Sequence, residues 1–219
     1  MMTFGKVSYC AVVTLVASIS GLTAAADPIP PGYRGQNVEV VGYVDAAGQS
    51  PFKMSLLQDG DTWYMYTSNL FHRGWGILDV TDPTDPKVVK FIEGPENTGT
   101  WQVDIADGLM IASQDALSAI WGGDPEVPQA PEAVLIWSLE DPLNPRQIGS
   151  FTTGGGTHRN GYFGGPYMHL AANHPDYRGE MYMIVDINDP ERPVEAGRYQ
   201  PGGLLVSDQK PYDRARLHG

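Results

Sequence analysis

Two dipeptides, His72-Arg73 and His158-Arg159, set an imidazole that can move protons near neutral pH beside a guanidinium that can bind a carboxylate or oxyanion. Such pairs suit an acidic ligand or substrate. His158 and Arg159 are the candidate catalytic residues, because Gly154-Gly155-Gly156 supplies permissive backbone just ahead of Thr157-His158-Arg159-Asn160. In that reading His158 acts as acid and base while Arg159 holds the anionic group. His72, Arg73, Trp75, Asn160, His174 and His218 are the candidate ligand-binding residues around them. Trp75 and Trp121 are the tryptophans expected to be exposed, whereas Trp63, Trp101 and Trp137 fall in segments that read as strands and are expected to pack inside.

Histidines on converging loops, with Asp104 or Asp115 nearby, are the residue types that ligate a divalent ion, but no local run has the spacing of a metal motif. Metal and cofactor therefore stay open. The chain has no G-x-S-x-G elbow, no phosphate loop and no dinucleotide fingerprint, and its single cysteine, Cys10, lies in the apolar leader. Cysteine catalysis is thereby excluded for a chain that loses the leader.

The elements that must position these residues announce themselves by repetition. Asp82-Pro83-Thr84-Asp85-Pro86, Asp141-Pro142-Leu143-Asn144-Pro145 and Asp189-Pro190-Glu191-Arg192-Pro193 share the pattern D-P-x-x-P. An apolar run precedes each copy and a short alternating segment follows it. An Asp that opens a turn accepts a backbone N–H two residues on, and the adjacent Pro presets φ, so each phrase joins two strands. The second Pro cannot donate to a ladder, which places the following strand at a sheet edge. Two further strands joined by Gly-bearing turns precede each apolar run, giving four strands per repeat.

An insertion over Gln114 to Glu132 lengthens the first interval, and without it the period falls near the ~40–50 residues of propeller blades. The expected fold is all-β, a β-propeller of four-stranded antiparallel blades over residues 27–219, with blades at about 51–92, 100–152 and 157–200. A β-sandwich of regular hairpins is the competing arrangement. Residues 38–44 alternate like a strand and are expected to complete a last blade, while 201–219 read as the start of a further repeat. About three complete blades are fewer than the ~4–8 that close a ring, so a truncated ring is expected.

Residues 1–26 read as a secretory signal: Lys6, then an apolar run from Val7 to Ile19, then small residues with cleavage expected after Ala26. The run falls short of the ~20 residues that a spanning helix needs, so no stable membrane insertion is expected after cleavage, an uncleaved anchor being the other possibility. The expected location is secreted or periplasmic. A formal charge of −12 repels phosphate backbones and excludes nucleic acid as a partner.

The segments Ile77-Leu78-Asp79-Val80-Thr81-Asp82-Pro83 and Ile184-Val185-Asp186-Ile187-Asn188-Asp189-Pro190 resemble the repeat of LVIVD-repeat proteins. The middle copy departs from it with Ser138 in place of Asp. The stretch Gly156-Thr157-His158-Arg159-Asn160 is similar to one in exported bacterial members, and Leu217-His218-Gly219 looks like the lead into a further blade. The resemblance implies a propeller and no particular reaction. The expected function is a binding or scaffold module that meets a protein or a small anionic ligand on its His- and Arg-bearing loops. The alternative is an extracytoplasmic lyase or hydrolase acting on an anionic small molecule, with His158 as acid and base and a metal as an optional aid.

Overall fold

The computed structural model describes residues 27–128 and 130–212. The expected signal segment and His218, with the Leu217-His218-Gly219 stretch, lie outside the described residues. The fold is all-β, of β-propeller type, built from three antiparallel sheets. The first holds β1 (Pro51–Asp59), β2 (Thr62–Asn69), β3 (Gly74–Asp79) and β4 (Lys87–Glu93) in that order. The second holds β5 (Thr98–Gly99), β6 (Val103–Ala106), β7 (Leu109–Ala116), β8 (Ala133–Ser138) and β9 (Arg146–Phe151), with β5 and β6 both paired to β7. The third runs β10 (Thr157–Gly161), β11 (Tyr167–Ala172), β12 (Met181–Asp186) and β13 (Val194–Tyr199).

The three sheets are copies at the level of single residues. Ile77 pairs with Lys90, Ile136 with Gly149 and Ile184 with Gly197, and the register slips one step later in every sheet. Each slip is a bulge beside the last strand, which twists that outer strand away from edge pairing. The D-P-x-x-P turns behave as their chemistry requires. Asp82, Asp141 and Asp189 each accept, through Oδ1, the backbone N–H two residues on, at 2.9, 3.0 and 3.2 Å. Side-chain bonds from Thr84, Asn144 and Arg192, joined by those backbone bonds, hold the three carboxyls below the usual carboxylate range.

Side chains between blades form two apolar clusters. Tyr66, Trp75 and Ile77 of the first blade meet Val103, Met110 and Leu135 of the second. Ile111, Val134 and Ile136 on the other face of the second blade meet Met168, Leu170 and Met183 of the third. Both faces of the middle sheet are buried, which is why β8 reads Val134-Leu135-Ile136 without alternation.

A backbone contact sets how closely blades approach. At Gly149 of β9 a Cβ would stand 2.0 Å from the carbonyl oxygen of Pro190, the first proline of the next blade's turn. Only glycine admits that approach. Gly42 meets Pro83 in the same way, with a Cβ placed 2.1 Å from its carbonyl oxygen. Between the first two blades the device differs: Tyr66 donates its hydroxyl to the Pro142 carbonyl at 2.6 Å, and Lys90 reaches Asn144 Oδ1 at 2.6 Å.

The innermost strands meet at one buried carboxylate. Lys53 of β1 donates from Nζ to Asp104 Oδ1 of β6 at 2.6 Å, and Asn160 of β10 donates from Nδ2 to Asp104 Oδ2 at 2.6 Å. One side chain thus joins all three blades.

Residues 38–44 pair with no strand among the described residues, and Gly42 meets Pro83 of the first blade as Gly149 of the outer strand β9 meets Pro190 of the next. One expectation needs correction. The inner strand of the third blade begins at Thr157, so His158, Arg159 and Asn160 stand in β10 and not in the preceding loop.

The glycine contact can be tested by internal contrast. Gly197 occupies the register position of Gly149, yet a Cβ there would meet nothing within 4 Å. Gly149→Ala is expected to cost on the order of 2–3 kcal/mol in urea unfolding, and Gly197→Ala less than about 0.5 kcal/mol.

Candidate functional site

Ser68 and Ser113 occupy one register position, the fifth pair from the hairpin side of each sheet, and each spends its hydroxyl on the inner strand. Ser68 Oγ accepts the Lys53 N–H at 3.1 Å, while Ser113 Oγ accepts those of Trp101 and Gln102 at 3.2 and 3.0 Å. The inner strands of the first and third blades also change register, between Pro51 and Met54 and between Thr157 and Arg159. Phe52 and His158 lie within these irregular stretches, and with Trp101 and Arg159 they line one cavity of about 380 Å³. Its volume lies in the range of small-molecule sites.

Asp115, at the end of β7, lies in its floor and is 8% exposed. Its Oδ1 accepts the Thr157 N–H at 3.0 Å, and the Trp101 indole also bonds to the carboxyl. Glu132, just ahead of β8, accepts the Ala116 N–H at 3.4 Å. The two carboxyls converge on Gly156, where a Cβ would stand 2.6 Å from Asp115 Oδ1 and 3.3 Å from Glu132 Oε1. Burial, opposed by the Thr157 N–H and joined by the charge of Glu132, pushes the Asp115 carboxyl up to about 7. It is a carboxyl that can carry a proton at neutral pH.

The walls are aromatic. Trp101 and Trp121 meet edge to face at 6.3 Å between ring centres, and Trp121 stacks on Phe71 at 6.2 Å. Arg159 holds its guanidinium 5.7 Å from the centre of the Phe52 ring and donates from Nη1 to the His158 carbonyl at 3.2 Å. Among the described residues no carboxylate forms an ion pair with it.

The structure brings together part of the residues expected from sequence. His158, Arg159 and Trp121 line the cavity. Arg73 does not; it lies near Glu93 and Glu96, at 3.9 and 4.0 Å, in a separate cavity of about 280 Å³. His72 stands exposed on the loop after β2. Trp75, expected on the exposed face, is 1% exposed, because its position in β3 points into the first apolar cluster against Trp137. Asn160 is buried and committed to Asp104. His174 accepts the Asp176 N–H at Nδ1 and packs edge-on against Tyr177, where it shapes a turn. Among the described residues no three His, Asp or Glu side chains converge as a metal cluster, and Asp104 already serves Lys53.

Sequence reasoning missed Phe52, Trp101 and Glu132, and it raised Asp115 only as a partner for a metal. The usable signal was the polar pair Gln114-Asp115 ending the apolar run of β7, where a buried strand turns polar without a turn residue.

No family model and no curated protein matches the chain. Among solved structures it is similar to one described as Bacteroides ovatus Xyloglucan PUL GH43B, at 16% identity and a TM-score of 0.28. The match covers 70% of this chain and 42% of that one, so the chain spans less than half of the structure it matches. Fold and site together define an all-β, propeller-type protein with an acidic, aromatic-walled cavity where its blades meet.

Asp115 also makes stability depend on pH. Its folded value lies above the value of about 4 in an unfolded chain, so its contribution is fully present in acid and is lost as pH rises through 7. Asp115→Asn keeps the acceptor without the charge. The variant is expected to exceed the parent by on the order of 1–3 kcal/mol at pH 8 and to match it at pH 4 in urea unfolding.

Proposed function

We propose that this protein is an exported propeller of the LVIVD-repeat type that binds a small anionic ligand in the cavity bounded by Arg159, His158, Trp101 and Trp121. The observation that supports this reading best is the state of Arg159. In a chain with a formal charge of −12, this guanidinium faces a cavity, packed on Phe52, with no carboxylate paired to it among the described residues. A guanidinium so placed is preorganised to take a carboxylate in bidentate fashion.

A second reading, a lyase or hydrolase, is favoured by a different observation. His158 shares the cavity with a carboxyl that titrates near neutrality, and two such groups can divide the roles of acid and base.

Both readings are tested on one set of proteins. Quenching of tryptophan fluorescence by small carboxylates is expected for the parent, with affinity falling at least tenfold in Arg159→Ala. Equal affinity in the two proteins would remove the binding reading. If a turnover is found, unchanged turnover in His158→Ala would remove the catalytic one.

A further inference from the structure

We infer that the ligand is a hydroxylated ring that carries a carboxylate, a sugar acid of the uronate class. This rests on the anion-binding reading above and narrows it, because the cavity offers three kinds of recognition at once and each asks for a different part of such a molecule.

The first is the aromatic wall. The C–H faces of a sugar ring are apolar and pack on indole rings, and Trp101 and Trp121, perpendicular to one another, both line the same space. Trp121 is half exposed, at 50%, leaving its ring available to a ligand. A wall of this kind does little for a small inorganic anion.

The second is the carboxyl pair. Asp115 and Glu132 converge around Gly156, and a Cβ at that glycine would press on both. Neighbouring hydroxyls on a ring both donate and accept hydrogen bonds. Two carboxyls at one place can answer both needs, with Asp115, pushed up to about 7 by burial, able to donate and the Glu132 oxygens able to accept. Thr157 adds a hydroxyl oxygen, buried and without a hydrogen-bond partner, on a residue that lines the same cavity. A phosphate dianion would instead be repelled by Glu132, and a flat aromatic acid would leave these groups unanswered at the cost of their lost hydration.

The third is Arg159, whose guanidinium can take a carboxylate that the acidic pair would reject. Cation and acids in one cavity are contradictory demands for a simple ion. They are compatible demands for one molecule that carries an anionic group at one place and hydroxyls at another.

The test compares four probes on the full chain by isothermal titration: D-galacturonate, D-glucuronate, D-galactose and benzoate. At least one uronate is expected to bind ten or more times tighter than both galactose, which lacks the carboxylate, and benzoate, which lacks the hydroxyls. Glu132→Gln and Trp121→Ala, the latter a surface change that leaves the core untouched, are each expected to weaken uronate binding at least fivefold. Benzoate binding as tightly as the uronates, and depending on Arg159, would overturn the sugar assignment while leaving the anion site standing. Galactose binding as tightly as the uronates, unaffected by Arg159→Ala, would overturn the carboxylate requirement and the anion reading with it. No binding of any of the four would overturn both.

Discussion

A carboxylate almost wholly removed from water holds the three blades to one another. Asp104 accepts a hydrogen bond from Lys53 of the first blade and another from Asn160 of the third, while its own backbone belongs to the second. Burial pushes the Asp104 carboxyl up, against the opposing pull of Lys53 and Asn160. A charge so placed costs several kcal/mol unless both partners stay in register, so the pairing acts on specificity more than on raw stability. The inner strands cannot slide along one another without leaving that charge unpaired.

Everything at the candidate site follows from where those strands are fixed. With β6 and β10 held at Asp104 and Asn160, the end of β7 meets the start of β10, and the Thr157 N–H falls on Asp115. That bond and the close approach of Gly156 leave Asp115 largely buried, with the cavity as its remaining exposure. Farther out, the turn carbonyl of Pro190 on Gly149 sets the spacing of the same two blades from the outside. The cavity is therefore a product of blade packing, and its acidity comes from the depth at which packing leaves one strand end.

Much of the fold was legible because turns are governed by local chemistry. The Asp and Pro of each D-P-x-x-P phrase act within a few residues, and three copies with apolar flanks give both strand order and blade period. Residues 38–44 form no ladder among the described residues, because alternation specifies a strand only where a neighbour offers free backbone groups. At the site, His158 and Arg159 were legible from residue type and from the glycines ahead of them. Trp75 was misplaced because β3 begins at Gly74, ahead of the apolar run read from Gly76, and both faces of that strand are buried. Asp115 and Glu132 come together at the end of the β7–β8 ladder, where Gln114 pairs with Ala133 and the Ala116 N–H reaches Glu132, and the long insertion between the two strands hid that register in the sequence.

Burial of Asp115 between the second and third blades is the claim on which the site depends, and the carboxyl itself reports it. Following the side-chain carboxyl ¹³C shift of Asp115 against pH, with Asp115→Asn to assign the signal, is expected to give a midpoint at about 7. A midpoint near the ordinary value of about 4 would mean that water reaches the carboxyl, and would contradict the packing of the two blades and the reading of the cavity built on it.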